Sequence, residues 1–404
     1  MSEIKLPYPV VVGGHICLDI IPTLHEWQSS MEAIFEPGKL VDIGPAVLTT
    51  GGAVSNTGIA LHRLGVPVTL MGKVGDDLFG RATLDIIGGQ DERLIKGMIV
   101  APREASSYTI VISPPGVDRV FLHCTGTNDT FGEDDLKAVE LREAGLFHFG
   151  YPPLMKRMYQ GGGSELAGIM AVAKSAGSTT SLDLAKPDPA SDAGRADWRE
   201  ILRAALPHVD LFLPSFEEIL FMLHRELYDC LQAEHGTSDL LPFADSELLS
   251  MLAEELLGMG VAVVVLKLGE YGLYMKTTTD EARFASFGKY RPKDATIWAG
   301  RELYTTCYQV DVTGTTGAGD CTIAGFLAGW VQGLSPEAVL VGAVGVGACN
   351  VEHPDATSGI PHWSEVQHRI DEGWVQHEPK LQLGGFLPSH TYLGVLERRT
   401  ISRG

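Results

Sequence analysis

The chain has 404 residues with 31 basic and 51 acidic side chains, a formal charge of −20, and is 45% apolar and 20% charged. Such a composition belongs to a soluble globular enzyme of one large or two to three ordinary domains and is too apolar for disorder. The acidity argues against nucleic acid or an anionic membrane as partner, since both need a basic footprint. A small phosphate ligand stays open if backbone N–H groups and a metal hold the anion. Glycine is in excess, 47 of 404.

From the N-terminus, an apolar run at 10–16 follows a Pro-Tyr-Pro step without a basic leader, which predicts a first β-strand rather than a signal peptide. Further strand candidates fall at 68–74, 146–150, 179–184, 210–213 and 261–268. Several are apolar throughout, as parallel strands covered on both faces are. Helical patterns at 56–64, 165–176, 216–224 and 247–259 alternate with them, which predicts an α/β fold with a mostly parallel sheet. Residues 23–50 and 97–124 read as paired strands of a small accessory sheet placed as a lid, with a turn at Pro114-Pro115-Gly116. Residues 277–304 form a long polar insertion, and the tail after about Trp363 carries no usable motif. The uncharged stretches 321–336 and 338–351, parted by Glu337, fall short of a membrane span. Six scattered cysteines without metal-ligand spacing read as reduced thiols of a cytoplasmic protein.

The chemistry concentrates near residue 320. Gly314-Thr-Thr-Gly317-Ala318-Gly319-Asp320 precedes a helical pattern in which Ile323, Phe326, Leu327, Trp330 and Val331 mark one apolar face. Glycines at 317 and 319 let a ligand approach the backbone, and the first turn of the helix offers N–H groups and the positive end of its dipole. Together they make an anion cradle. Asp320, in that turn, has a use there as the base that takes a proton from a hydroxyl during phosphoryl transfer. The plainer alternative is a tight turn with Asp320 as a helix cap. GxxxxGK[ST], HExxH and GxSxG are absent, and Gly342, Gly345 and Gly347 have the wrong spacing for a dinucleotide fingerprint. An earlier constellation, Gly51-Gly52-Ala-Val-Ser-Asn56, leads into a helix and then to Gly72-Lys-Val-Gly-Asp-Asp77. Asn56 offers a donor and an acceptor to a polyhydroxylated ligand, or simply starts the helix; Asp77 reads as a helix cap.

With GGAVSN…LGVPVTLMGKVGDDLFG early and TTGAGDCTIAGFLAG late, in that order and about 260 residues apart, the chain resembles the PfkB carbohydrate kinase family over roughly residues 8–361. The resemblance implies a ribokinase-like three-layer α/β/α kinase domain over 1–364 with lid strands within 17–50 and 97–124, and a C-terminal extension over 365–404. It implies Asp320 as catalytic base and Gly317, Ala318 and Gly319 as anion hole. It assigns Asp19, Gly51, Gly52 and Asn56 to the sugar, Ser215, Lys267, Gly269 and Gly272 to the nucleotide side, and Glu218 to Mg²⁺ through water. Ser215 stands where the family usually has Asn. Gly314 replaces an Asp that commonly helps bind a monovalent cation, so K⁺ activation by that route is not implied. Asp311 is three positions too early to replace it, and Asp355 and Ser358 sit in a later loop able to contribute.

The implied activity is ATP- and Mg²⁺-dependent phosphorylation of a sugar hydroxyl, with a homodimer through the lid. Two rivals remain. A nucleoside kinase would want lid aromatics, with Tyr108 and Phe121 as candidates; a non-catalytic sensor would not need Asp320. Arg103 or Arg119 would be wanted by a phosphosugar, and His123 or Asn128 are candidates for specificity.

Overall fold

A computed structural model describes residues 4–25, 34–114 and 120–398. Along the chain, β1 (Val10–Gly14) opens the main sheet, while β2 (Cys17–Pro22) and β3 (Ala46–Gly51) form an antiparallel pair outside it. Next come α1 (Ala53–Arg63), β4 (Val68–Met71), β5 (Lys73–Gly75), α2 (Leu78–Gly88), β6 (Ile99–Ala101), β7 (Tyr108–Ile112) and β8 (Val120–Cys124). The centre runs through β9 (Leu146–Gly150), α3 (Ser164–Ser175), β10 (Thr179–Leu182), α4 (Trp198–Ala205), β11 (Leu211–Phe212), α5 (Phe216–Leu223) and α6 (Ser246–Gly258). It continues with β12 (Val263–Lys267), β13 (Leu273–Thr277), β14 (Glu302–Thr305), α7 (Ala318–Val331) and α8 (Pro336–Val351). The tail adds β15 (Phe386–Pro388) and β16 (Val395–Arg398).

The ten-stranded sheet has the order β15-β16-β14-β13-β12-β11-β10-β9-β1-β4. From β4 to β12 it is parallel; β13, β14, β16 and β15 are antiparallel. Several of its parallel strands, such as β1 and β11, are apolar throughout because both faces are covered. Val10 and Val12 join Leu61, Phe326 and Val346 in one core, and Val11 joins Ile169, Ile201, Leu220 and Leu252 in the other. Each such side chain contributes about 1.5–3 kcal/mol on burial. Packing between the layers therefore outweighs the propensity of strands this short.

The lid sheet has the order β3-β2-β7-β8. β6 does not join it but pairs with β5 in a separate ribbon. Much of the turn expected at Pro114-Pro115-Gly116, and Arg119, fall outside the described residues. Among the described residues no helix is long and apolar enough to cross a membrane, and all six cysteines are unpaired.

Three expectations change. The helix after the glycine turn shows no single apolar face: α7 packs against α1 and α8 together, and every residue from Cys321 to Val331 except Thr322 is buried. The polar character of 277–304 is only its outside, because Phe284, Phe287, Tyr290 and Trp298 are buried. Trp298 meets Trp330 of α7 edge-on, with ring centroids 4.4 Å apart. The tail without motifs forms the edge of the main sheet, with β16 paired to β14 and Arg301 bridging Glu337 and Glu397.

Candidate functional site

The parallel strands all end on one side of the sheet, and the residues that follow them build the site. This is where open α/β sheets hold ligands. His15 lies just beyond β1, Tyr151 beyond β9, Asp183 beyond β10 and Ser215 beyond β11, while Lys267 ends β12. Helix α7 points its N-terminus at the same edge.

Gly317 caps α7 in the left-handed region at φ 73, where a side chain would also meet Ala356 at 2.8 Å. Gly319 differs. A β-carbon there would meet nothing nearer than Lys267 Cδ at 3.8 Å, so the space above it is open. Of the turn's N–H groups, that of Ala318 donates to Thr315 O, while those of Gly319 and Asp320 have no backbone acceptor among the described residues.

Asp320 is 2% exposed. Asn56 Nδ2 donates to its Oδ2 at 2.9 Å, and the Tyr151 hydroxyl donates to both carboxylate oxygens at 2.9 Å. Burial pushes its pKa up, opposed by the Asn56 bond, the Lys267 charge and the Tyr151 bond. Asn56 Oδ1 is buried without a partner among the described residues, an acceptor left over for a ligand hydroxyl.

Lys267 Nζ contacts Asp183 Oδ1 at 2.7 Å. Burial pushes the fully buried Asp183 carboxyl up, against the pull of Lys267. Although burial opposes it, the charges of Asp183 and Glu218 hold Lys267 above its usual range. Asp183 Oδ2 has no hydrogen-bond partner among the described residues. Ser215 caps α5 in a reciprocal box: its N–H donates to Glu218 Oε2 at 2.7 Å and its hydroxyl accepts from Glu218 N–H at 3.2 Å. A divalent cation with oxygen ligands such as Mg²⁺ fits this set, because one orphaned carboxylate oxygen and a second carboxylate lie around a single lysine.

Two cavities of about 370 Å³ each meet at Lys267, Gly269 and Gly319. The first is lined by Gly272, Leu273, Tyr308, Val310, Val344 and Ala348, an apolar slot suited to a flat ring. The second is lined by Tyr151, Lys186, Ser215, Glu217 and Glu218. All four residues expected on the nucleotide side therefore lie in these two clefts.

On the lid side, Asp19 packs on Gly51, where a β-carbon would fall 2.2 Å from its Oδ2. Cys17 Sγ donates to Asp19 Oδ1 at 3.2 Å, and burial raises the Asp19 pKa. Gly52, at φ 86, serves His15 rather than open space, because a side chain would strike the His15 ring and carbonyl. Sequence reasoning missed His15. Its Nε2 lies 3.2 Å from His123 Nε2, and its ring faces Tyr151 with centroids 6.1 Å apart. Burial, aided by His123, holds the His15 pKa down to about 3. The His123 Nδ1 meets Thr109 Oγ1 at 3.0 Å. Because side chains alternate along strands, the register puts Cys17, Asp19, Thr109, Phe121 and His123 on one face of the lid. Tyr108 lies on the other face against Phe79, with centroids 5.1 Å apart. Phe121 is 57% exposed. Asn128 is spent on the backbone of Ile16, and Asp77 caps α2.

Asp183, Tyr151 and His15 were not singled out from sequence: His15 and Asp183 fall inside the ends of the strands expected at 10–16 and 179–184, and Tyr151 just after the one at 146–150, so only a position at a parallel strand's end would have flagged them. Near Gly314, a side chain would meet Pro354 Cα at 2.9 Å, so a carboxylate cannot be carried there without moving that loop. The Asp355 carboxylate accepts from Thr357 and Ser358 N–H, and Asn350 Nδ2 donates to Thr316, Asp355 and Ala356 carbonyls at 3.2, 3.4 and 2.8 Å.

Residues 10–363 match the pfkB family carbohydrate kinases. An uncharacterized sugar kinase of Archaeoglobus fulgidus is 25% identical over 305 residues, 75% of this chain and 98% of the relative. A probable fructokinase-4 of Arabidopsis thaliana is 25% identical over 89% of this chain and 95% of its own. Among solved structures, Arabidopsis thaliana ribokinase complexed with ribose and ATP superposes with a TM-score of 0.66 at 18% identity, over 90% of this chain and 98% of that one.

Proposed function

The chain belongs to the pfkB family of carbohydrate kinases, phosphotransferases acting on alcohol groups, and from that premise we propose that it moves the γ-phosphoryl group of ATP to a hydroxyl of a monosaccharide. One observation carries the reading: a buried carboxylate, Asp320, sits in the open first turn of α7, one residue after Gly319, which lines both clefts that share Lys267.

In this reading the acceptor hydroxyl gives its proton to Asp320 as its oxygen bonds to the γ-phosphorus. The bond to the β,γ-bridging oxygen breaks and ADP leaves. The N–H groups of Gly319 and Asp320, with Lys267, stabilise charge on the group in transit. Asp183 and Glu218 are the residues that would hold Mg²⁺, which would supply neutralisation of phosphate charge. The orphaned Asn56 Oδ1 and the Asp19, His15 and His123 wall receive the sugar hydroxyls. That wall is polar at Asp19, His15 and His123 and Tyr108 faces away from it, which supports a sugar; Phe121 shares the face and is the lid ring that would suit a nucleobase.

Fructokinase and ribokinase relatives make D-fructose and D-ribose the first acceptors to test. ATP consumption is expected with a monosaccharide and not with a nucleoside. A response to nucleosides alone selects the nucleoside kinase, and no response to any acceptor overturns the reading. The Asn350 contacts support turnover without a monovalent cation, checked by comparing K⁺ with tetramethylammonium buffers. Exposed Leu48 and Leu122 on the outer face of the lid support a homodimer, checked by light scattering.

A further inference from the structure

Tyr151 contacts both oxygens of the Asp320 carboxylate, at 2.9 Å to each. It does so from an expensive backbone position, φ 63 and ψ 42, shared among described non-glycine residues only with Arg103 in having positive φ. The turn is over-determined. Pro152 disfavours the right-handed helical region for the residue before it, Pro152 and Pro153 are buried, and Gly150 is held in register with Gly14. The ring lies between His15 on the lid side and the cleft that Glu218, Lys267 and Gly319 line. So a hydroxyl is delivered, at a cost in backbone strain, to the place where a base must meet its acceptor, within about 2.6–3.2 Å.

We propose that Tyr151 is a positioning residue that occupies the base when no acceptor is bound: its hydroxyl fixes the Asp320 carboxylate and takes the lone pairs water would use, and an incoming sugar hydroxyl displaces it. The inference rests on Asp320 being the base. Water is the competing acceptor in any such site. In the suppressed reaction a water oxygen bonds to the γ-phosphorus, the bond to the β,γ-bridging oxygen breaks, Asp320 takes the proton, and ADP and inorganic phosphate are released. With the phenol in place, water meets a carboxylate whose oxygens are already engaged by Tyr151 and Asn56.

The test uses MgATP with no sugar added, so that water is the acceptor probed. Tyr151→Phe keeps the ring and removes one oxygen. Hydrolysis is expected to rise about ten-fold or more, the scale set by a lost hydrogen bond to a charged group, and to fall back when Asp320→Asn is added. A structural role alone would not make the increase depend on Asp320. Unchanged or slower hydrolysis in Tyr151→Phe, or a rise that survives Asp320→Asn, overturns the proposal. A milder variant, 3-fluorotyrosine at 151, makes the phenol a stronger donor and reports by fluorine NMR. Its hydrolysis is expected to fall below wild type and its resonance to move with Asp320→Asn; a resonance that does not move overturns the proposal. The two readings fail separately. If wild type phosphorylates a sugar and Tyr151→Phe gains no hydrolysis, only the role of Tyr151 falls. If no alcohol is phosphorylated yet Tyr151→Phe hydrolyses ATP through Asp320, the sugar acceptor falls and the role of Tyr151 stands.

Discussion

Asp210 and Asp183 are both fully buried carboxylates on the central strands, one entering β11 and the other leaving β10. Asp210 is saturated: Lys174 Nζ at 2.5 Å and Arg283 Nη1 at 2.7 Å bind one oxygen, and Thr180 N–H donates to the other at 3.0 Å. Asp183 has one cation at 2.7 Å and a bare second oxygen. Two cations around one acid hold a loop to a sheet. Three acids, Asp183, Glu218 and Asp320, around one lysine make a centre short of positive charge. The contrast separates structural from functional charge within one sheet: the strand entrances are satisfied by the protein alone, and the strand exits are left to be completed by ligands.

The largest effect should come from the exit side. Asp320→Asn keeps the shape but removes the base, and sugar phosphorylation is expected to drop about 10²–10⁴-fold while MgATP affinity and melting temperature stay near wild type. Undiminished turnover would remove the basis for treating the exits as functional. At the entrance, Asp210→Asn leaves the half-buried Lys174 and Arg283 without their counter-charge, at a cost of up to about 3–5 kcal/mol. Urea denaturation is expected to show that loss, and a much smaller one for Asp183→Asn, whose main cost falls on MgATP-dependent turnover. Equal stability losses would erase the distinction.

Acid sharpens it further. Burial holds His15 and His148 down to about 3, below their unfolded value of 6.5. The unfolded chain therefore binds more protons than the folded one between those limits, and stability falls as pH drops from 6.5 toward 3. His148→Gln should flatten the pH dependence of the urea midpoint below 6.5; an unaltered slope would show that His148 is charged in the fold. The smallest expected change is in stability at Gly319→Ala. Its β-carbon makes only ordinary contact with Lys267, so stability should stay within about 1 kcal/mol of wild type, while the methyl group fills the open cradle and weakens MgATP binding. Gly317→Ala, strained and in contact with Ala356, should lose stability instead.

The entrances and exits were unequally legible in the sequence. Parallel strands such as 10–16 and 261–268 show as apolar runs because two covered faces leave no polar alternation. The glycine turn at 317–319 shows because backbone approach and left-handed geometry demand glycine. Tyr151 and Asn56 meet Asp320 across 169 and 264 residues, and the His15–His123 pair spans 108. Contacts that far apart leave no spacing to read. Asp183 is a lone carboxylate after a Thr-Thr-Ser-Leu strand. β15 and β16 are three and four residues long, and the pairing of β16 with β14 and of β15 with β16, rather than their own pattern, makes them strands.

The docked tail also bears on energetics far from the sheet edge. His377, after Trp374 has stacked on Tyr308 with centroids 4.4 Å apart, forms part of the wall of the apolar slot beside Gly319. A molecule filling that slot and the ordered tail therefore share a surface, and each must favour the other by the same factor. Hydrogen exchange along β16 becomes a gauge of occupancy in the slot, and loosening the tail becomes a way to loosen the ligand without touching a residue of the turn that cradles it.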